Sequence, residues 1–142
     1  MKRVFLAAIA VSAFIGPAFA QNSIPMDQPI TIGGVDTVCT GIGSEAQQDP
    51  RWQAYPVRIE FSNGGSQYLS GAHVELSAAG GKQLAALDCL GPWVLFKLPK
   101  GQYKVTATLT DQPGGGTSSA TFSPPASGQK RVELVFRIPA NH

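Results

Sequence analysis

Short runs of alternating apolar and polar residues, each closed by glycine or proline, constrain this chain more than any other feature it has. In the stretch 131–138, Val132, Leu134, Phe136 and Ile138 fall on one side and Arg131, Glu133, Val135 and Arg137 on the other, until Pro139 stops the run. A period of two is what an extended backbone with one buried face requires. Val57, Ile59 and Phe61 alternate in the same way with Arg58, Glu60 and Ser62, and Ala72, Val74, Leu76 and Ala78 with His73, Glu75 and Ser77. Asn63-Gly64-Gly65 and Gly80-Gly81 supply the turns. Roughly seven or eight such segments, with turn residues about every eight to twelve positions, predict an all-β, two-layer antiparallel β-sandwich. Gln83 to Leu87 suits helix by composition, but its short length between a glycine turn and Cys89 makes it a strand. One short helix is expected at Ser44–Asp49, with Ser44 as N-cap, Gln47 as its capping-box partner, and Pro50 as its limit.

The longest structured stretch is Asp88 to Ala107. Val94, Phe96 and Leu98 make one apolar face and Tyr103, Val105, Ala107 and Leu109 another, with Pro99 and Gly101 between them. Proline presets the φ of a turn and glycine accepts its left-handed position, so the two runs are expected to pair as a hairpin.

Met1-Lys2-Arg3, the apolar run Val4–Ile15 and the small residues of Gly16-Pro17-Ala18-Phe19-Ala20 form the three parts of a secretory signal, cut after Ala20. The apolar run is about 12 residues, short of the roughly 20 that span a bilayer, so no stable membrane insertion is expected after cleavage. The organisation is therefore a signal peptide at 1–20, a flexible leader at 21–29 and one β-sandwich domain at 30–142. Removal of Lys2 and Arg3 brings the 11 basic residues to 9, equal to the 9 acidic ones. A neutral mature chain has no basic field for nucleic acid. A periplasmic or secreted location follows from the signal.

Export into an oxidising compartment makes Cys39 and Cys89 a disulfide pair, against the alternatives of two buried thiols or a redox couple, for which the Cys-x-x-Cys spacing is missing. Closing a loop of about 50 residues stabilises by roughly 4 kcal/mol in the chain-entropy model.

Leu98-Pro99-Lys100-Gly101-Gln102-Tyr103-Lys104-Val105, following a strand that begins at Trp93, resembles the Leu-Pro-x-Gly-x-Tyr-x-Val signature of carboxypeptidase regulatory-like domains. Gly41-Ile42-Gly43-Ser44-Glu45, Gly71-Ala72-His73-Val74-Glu75-Leu76 and Gly91-Pro92-Trp93 add to a resemblance to small exported bacterial proteins of that kind, with no assigned activity. The likeness covers about Ile30 to Leu109. It implies a prealbumin (transthyretin) type of sandwich, an Ig-like Greek key, in a supporting or binding role. It carries no catalytic residue onto this chain.

Hydrolytic metal sites need three converging ligands, and His73 and His142 are the only histidines. His73 reads as an outward sheet residue beside Glu75, and no His-Glu-x-x-His, Gly-x-Ser-x-Gly or phosphate-loop pattern is present. No catalytic, metal-ligating or cofactor-binding residue is expected; Glu60 and Glu75 both fall on polar faces, open to being neighbours across strands, and read as a solvated face. Trp93 is expected to be core or disulfide cover. Trp52, Tyr55 and Tyr68 lie in or beside loops, where aromatic rings stack on sugars or fill a partner's pocket. The leading expectation is a non-catalytic exported module with a binding or accessory role in the periplasm, its protein or carbohydrate partner unidentified. The alternatives are a carbohydrate-binding module using Trp52, Tyr55 and Tyr68, and a small hydrolase with an unrecognised site, which a tight polar pocket holding His73 with Glu75 and an arginine would favour.

Overall fold

The computed structural model describes residues 23–110 and 116–137. The expected signal peptide, the first two leader residues, the 111–115 turn and the segment from Ile138 onward lie outside them. Among the described residues nine strands are formed: β1 (Ile30–Ile32), β2 (Val35–Thr40), β3 (Val57–Ser62), β4 (Ala72–Ala78), β5 (Gln83–Cys89), β6 (Trp93–Lys97), β7 (Tyr103–Leu109), β8 (Thr117–Phe122) and β9 (Lys130–Val135). They build a β-sandwich of two sheets, ordered β1-β2-β6-β3-β9 and β5-β4-β7-β8. All pairings are antiparallel except β3 with β9, which run parallel. The apolar alternation points Val57, Ile59, Phe61, Val94, Phe96, Val132 and Leu134 inward from the first sheet. Val74, Leu76, Leu87, Val105 and Phe122 meet them from the second.

Local chemistry accounts for the hairpins. Gly33 and Gly34, both at positive φ (58° and 87°), make the two-residue turn that joins β1 to β2 with Ile32 opposite Val35. Ala78 and Lys82 close the β4–β5 turn through the bond from Ala78 N to Lys82 O at 2.9 Å.

The expected hairpin at Asp88–Ala107 is a crossover instead. β6 lies between β2 and β3 in one sheet, and β7 between β4 and β8 in the other. Both runs are apolar on one face, and those faces meet across the interior rather than edge to edge. Residues 98–102 supply enough chain to bridge the roughly 10 Å between packed sheets. The Tyr103 hydroxyl donates to the Pro99 carbonyl at 2.8 Å and so anchors the crossing.

Two further local differences bear on the site. The short helix α1 (Ser44–Gln47) is capped by Gly43 rather than Ser44, and the Gln47 side chain donates to the Gly41 carbonyl at 2.7 Å. Pro50 does not merely end it: Pro50–Ala54 form a 3-10 turn whose N-cap, Asp49, accepts from the Arg51 amide at 2.9 Å. Proline suits the first position of such a turn because its missing N–H would be unsatisfied there anyway. Ser23–Asp27, expected as loose leader, form a strap. Ile24 N donates to Asp88 O at 3.0 Å and Asp27 N to Cys39 O at 2.7 Å.

The Cys39–Cys89 disulfide is present, with Cα atoms 5.6 Å apart, and ties β2 of one sheet to β5 of the other. No helix among the described residues is long and apolar enough to cross a membrane.

Candidate functional site

The outer face of the five-stranded sheet carries a cluster of polar and aromatic side chains. Its rows follow from register: Val38, Leu95 and Arg58 lie side by side, and in the next row Thr40, Trp93 and Glu60. The parallel pairing of β3 with β9 sets Arg58 beside Arg131 and Glu60 beside Glu133.

Glu60 is fully buried although its side chain points away from the core. Burying a carboxylate is tolerable only where partners replace its water. Arg131 Nε donates to Glu60 Oε1 at 2.6 Å, and Arg58 Nε lies 2.7 Å from Glu60 Oε2. The second contact is an ion pair without a hydrogen bond, because the N–H does not point at the oxygen. The Tyr68 hydroxyl reaches Glu60 Oε1 at a long 3.4 Å. The hydrogen bond and charge of Glu60 push the Arg131 guanidinium further above its usual range. Arg58 is then stacked, its Cζ 4.1 Å above the Trp93 ring, while Tyr68 meets the same ring edge-on at 6.0 Å. Glu133 is fixed by the Ser62 hydroxyl at 2.6 Å, and Ser62 in turn accepts from the Gly64 amide.

The same face is roofed at Val38 and Leu95 by Trp52 and Tyr55, which form a separate buried cluster with them. Their rings are 6.1 Å apart and nearly perpendicular. Burial, joined by the charge of Asp36, raises the Tyr55 pKa. The three rings singled out for sugar stacking are therefore not brought together as a platform. Trp52 and Tyr55 are buried, and Tyr68, 39 % exposed, belongs with Trp93. Trp93 is buried as expected but not over the disulfide. Cys39 points into the core and the neighbouring Trp93 out of it, so the ring rests on Arg58 and Tyr68.

His73 lies on the opposite face of the molecule, on β4, so Glu60 and Glu75 are on different sheets and are not neighbours. His73 Nδ1 is 2.7 Å from Asp88 Oδ1 and Nε2 is 3.2 Å from Glu75 Oε2. Burial pulls its pKa down, but the hydrogen bonds and charges of Asp88 and Glu75 together outweigh it, and the net shift is upward. Both ring nitrogens are engaged by carboxylates. No group of three His, Cys, Asp or Glu among the described residues is placed to hold a metal ion.

An open depression of about 560 Å³ lies beside the 3-10 turn, lined by Asp27, Ile42, Glu45, Asp49 and Arg51. Two of its acids are already committed, Asp27 to the Thr40 hydroxyl at 2.6 Å and Asp49 to Arg51 at 2.8 Å.

The exposed apolar residues are more informative. Among the described residues the large ones are Ile42, Tyr68, Leu90 and Val135. Ile42 follows the end of β2, Leu90 the end of β5, Tyr68 the end of β3, and Val135 closes β9. Those strand ends are neighbours, since Thr40, Trp93 and Glu60 share a row, Ser62 lies opposite Val135 and bridges to Tyr68, and Cys39 is bonded to Cys89. The strand ends that carry or precede all four therefore lie toward one end of the sandwich, the end at which β3 brings Glu60 and Ser62.

Arg58, Glu60 and Arg131 were not legible as a site. The signal that would have found them is the repeated spacing in Arg58-Ile59-Glu60 and Arg131-Val132-Glu133. Comparison with protein-family models and with curated proteins gives no match.

Proposed function

We propose that this chain is a non-catalytic exported β-sandwich module of the carboxypeptidase regulatory-like, prealbumin type, with a binding or accessory role in the periplasm. Its working surface is the end bearing Ile42, Leu90, Tyr68 and Val135, framed by Trp93 and the two arginines. The single observation that carries this reading is that the large exposed apolar residues among those described follow or close strands whose ends lie toward one end of the sandwich. Apolar residues scattered singly need no explanation, whereas several exposed at the same end, beside charged and aromatic groups, suit an interaction surface. A rigid rim suits such a role, because Glu60 holds both guanidiniums in place before any partner arrives.

The test is capture from periplasmic extract by the immobilised protein and by a double variant, Ile42→Ser with Leu90→Ser. Both positions are more than half exposed, so folding is expected to be unaffected. Loss of the captured species with the variant supports the surface. Equal capture by both proteins, or no specific capture by either, overturns it.

A further inference from the structure

We propose that Met26 is a peroxide-reactive modification site, and that its oxidation to the sulfoxide uncovers the Cys39–Cys89 disulfide. Met26 lies in the strap, only partly buried, and packs against the core. Its Sδ sits 3.4 Å from Cys39 Sγ. With both cysteines oxidised there is no thiol hydrogen, so this is a sulfur–sulfur packing contact and not a hydrogen bond. The strap runs alongside both ends of the disulfide, with Ser23 beside Asp88 and Met26 beside Cys39. Cys39 and Cys89 are 0 % and 1 % exposed, so a reductant reaches them only after something moves. The closest cover at Cys39 Sγ is the Met26 thioether, together with the Gly91 amide at 3.4 Å.

The thioether is the one part of this cover that changes character on oxidation. A lone pair on Sδ attacks one oxygen of hydrogen peroxide, the O–O bond breaks, and the departing hydroxide takes up the remaining proton to leave as water. Sulfur is oxidised by two electrons and the peroxide reduced by two. The product places a polar S=O where an apolar side chain was packed on buried sulfur. That oxygen has to find water, and the route to water is outward, away from Cys39.

The strap is poised to follow. It is held by Ile24 N to Asp88 O, by Asp27 N to Cys39 O, and by the Thr40 hydroxyl to Asp27 Oδ1 at 2.6 Å. Asp27 stands at φ 60°, a conformation that non-glycine residues seldom choose, so those bonds, and not backbone preference, hold it there. Lifting Met26 pulls on the residue next to Asp27.

The experiment treats the purified, oxidised protein with hydrogen peroxide, locates the gain of about 16 Da by peptide mapping, and then follows reduction of the disulfide by dithiothreitol with a thiol-reactive dye. Peroxide treatment is expected to place oxygen on Met26 and to speed reduction about fivefold or more. Met26→Leu, which keeps the apolar cover, is expected to reduce at the slow rate with or without peroxide. Met26→Gln is expected to reduce fast without it. The oxidised natural chain reads the effect even if a variant folds poorly. The proposal is overturned if Met26 resists peroxide that oxidises methionine in a short peptide. It is equally overturned if the sulfoxide form reduces at the unoxidised rate, or if peroxide speeds reduction of Met26→Leu as well.

Discussion

Replacing Arg131 by methionine is expected to destabilise the fold by about 2 kcal/mol, and adding Glu60→Leu to that variant is expected to return most of the loss. Arg131 provides the one well-aligned hydrogen bond that Glu60 receives at short range, 2.6 Å to Oε1. Without it the carboxylate keeps a misaligned ion pair with Arg58 at 2.7 Å and a 3.4 Å approach from Tyr68. A buried carboxylate deprived of a partner loses about 3–5 kcal/mol where no water can replace that partner. Arg131 is half exposed, however, so water enters the space it leaves and the figure falls to about 2 kcal/mol. Methionine retains the apolar stem that lies along the sheet, which confines the change to the charged head. Removing the carboxylate as well leaves only Arg58, stacked on Trp93 and partly hydrated. Urea unfolding at pH 7, by linear extrapolation for Arg131→Met, Glu60→Leu and the double variant, measures the coupling directly. A loss below about 0.5 kcal/mol for Arg131→Met, or a double variant that equals the sum of the singles, would refute the reasoning.

The remaining predictions concern the staples and His73. Cys89→Ala opens a loop with a sequence separation of 50, worth about 4 kcal/mol in the chain-entropy model. By calorimetry in non-reducing buffer, a fall in Tm of roughly 15 °C is expected, and an unchanged Tm would count against the bridge as a stabiliser. Tyr103→Phe removes the hydroxyl that holds Pro99 O and is expected to reduce stability by about 1 kcal/mol in urea. His73 has its pKa raised in the folded chain above 6.5, so its contribution is complete below about pH 6.5 and disappears as pH climbs through the higher folded value. The effect is small because the side chain is 39 % exposed. Unfolding curves from about pH 5 to pH 9 are expected to show a decline that His73→Gln lacks. A parallel decline in both proteins would assign the pH dependence to other groups.

The layering was legible because period-two alternation reports directly which side chains enter the core. Val57, Ile59, Phe61, Val74, Leu76, Val132 and Leu134 are all buried where the alternation puts them. Partnership between strands was not legible. β6 and β7 carry the same one-sided pattern whether they pair edge to edge or face each other across the interior, and only the crossover at residues 98–102 distinguishes the two. The site was hidden for the same reason. Arg58-x-Glu60 and Arg131-x-Glu133 read as ordinary solvated faces until the parallel pairing of β3 with β9, 71 residues apart at Glu60 and Arg131, stacks them. Trp52 was obscured by Pro50, which announces the end of one helix and the start of a 3-10 turn in the same residue. The disulfide was readable since a chain with two cysteines has one intramolecular pairing open to it.

The two layers are joined by covalent chain or bond at both ends: the sulfur bridge at the end proposed as the working surface, and at the far end the short crossing pinned by Tyr103. Such a body cannot open like a book from either side. Its outer strands are β1 and β9 in one sheet and β5 and β8 in the other, with β6 at the centre of the first and β4 and β7 inside the second. A partner seated on that working surface would press on a frame that does not yield. What it feels there is shape already set, with Trp52 and Glu60 acting as the braces behind it.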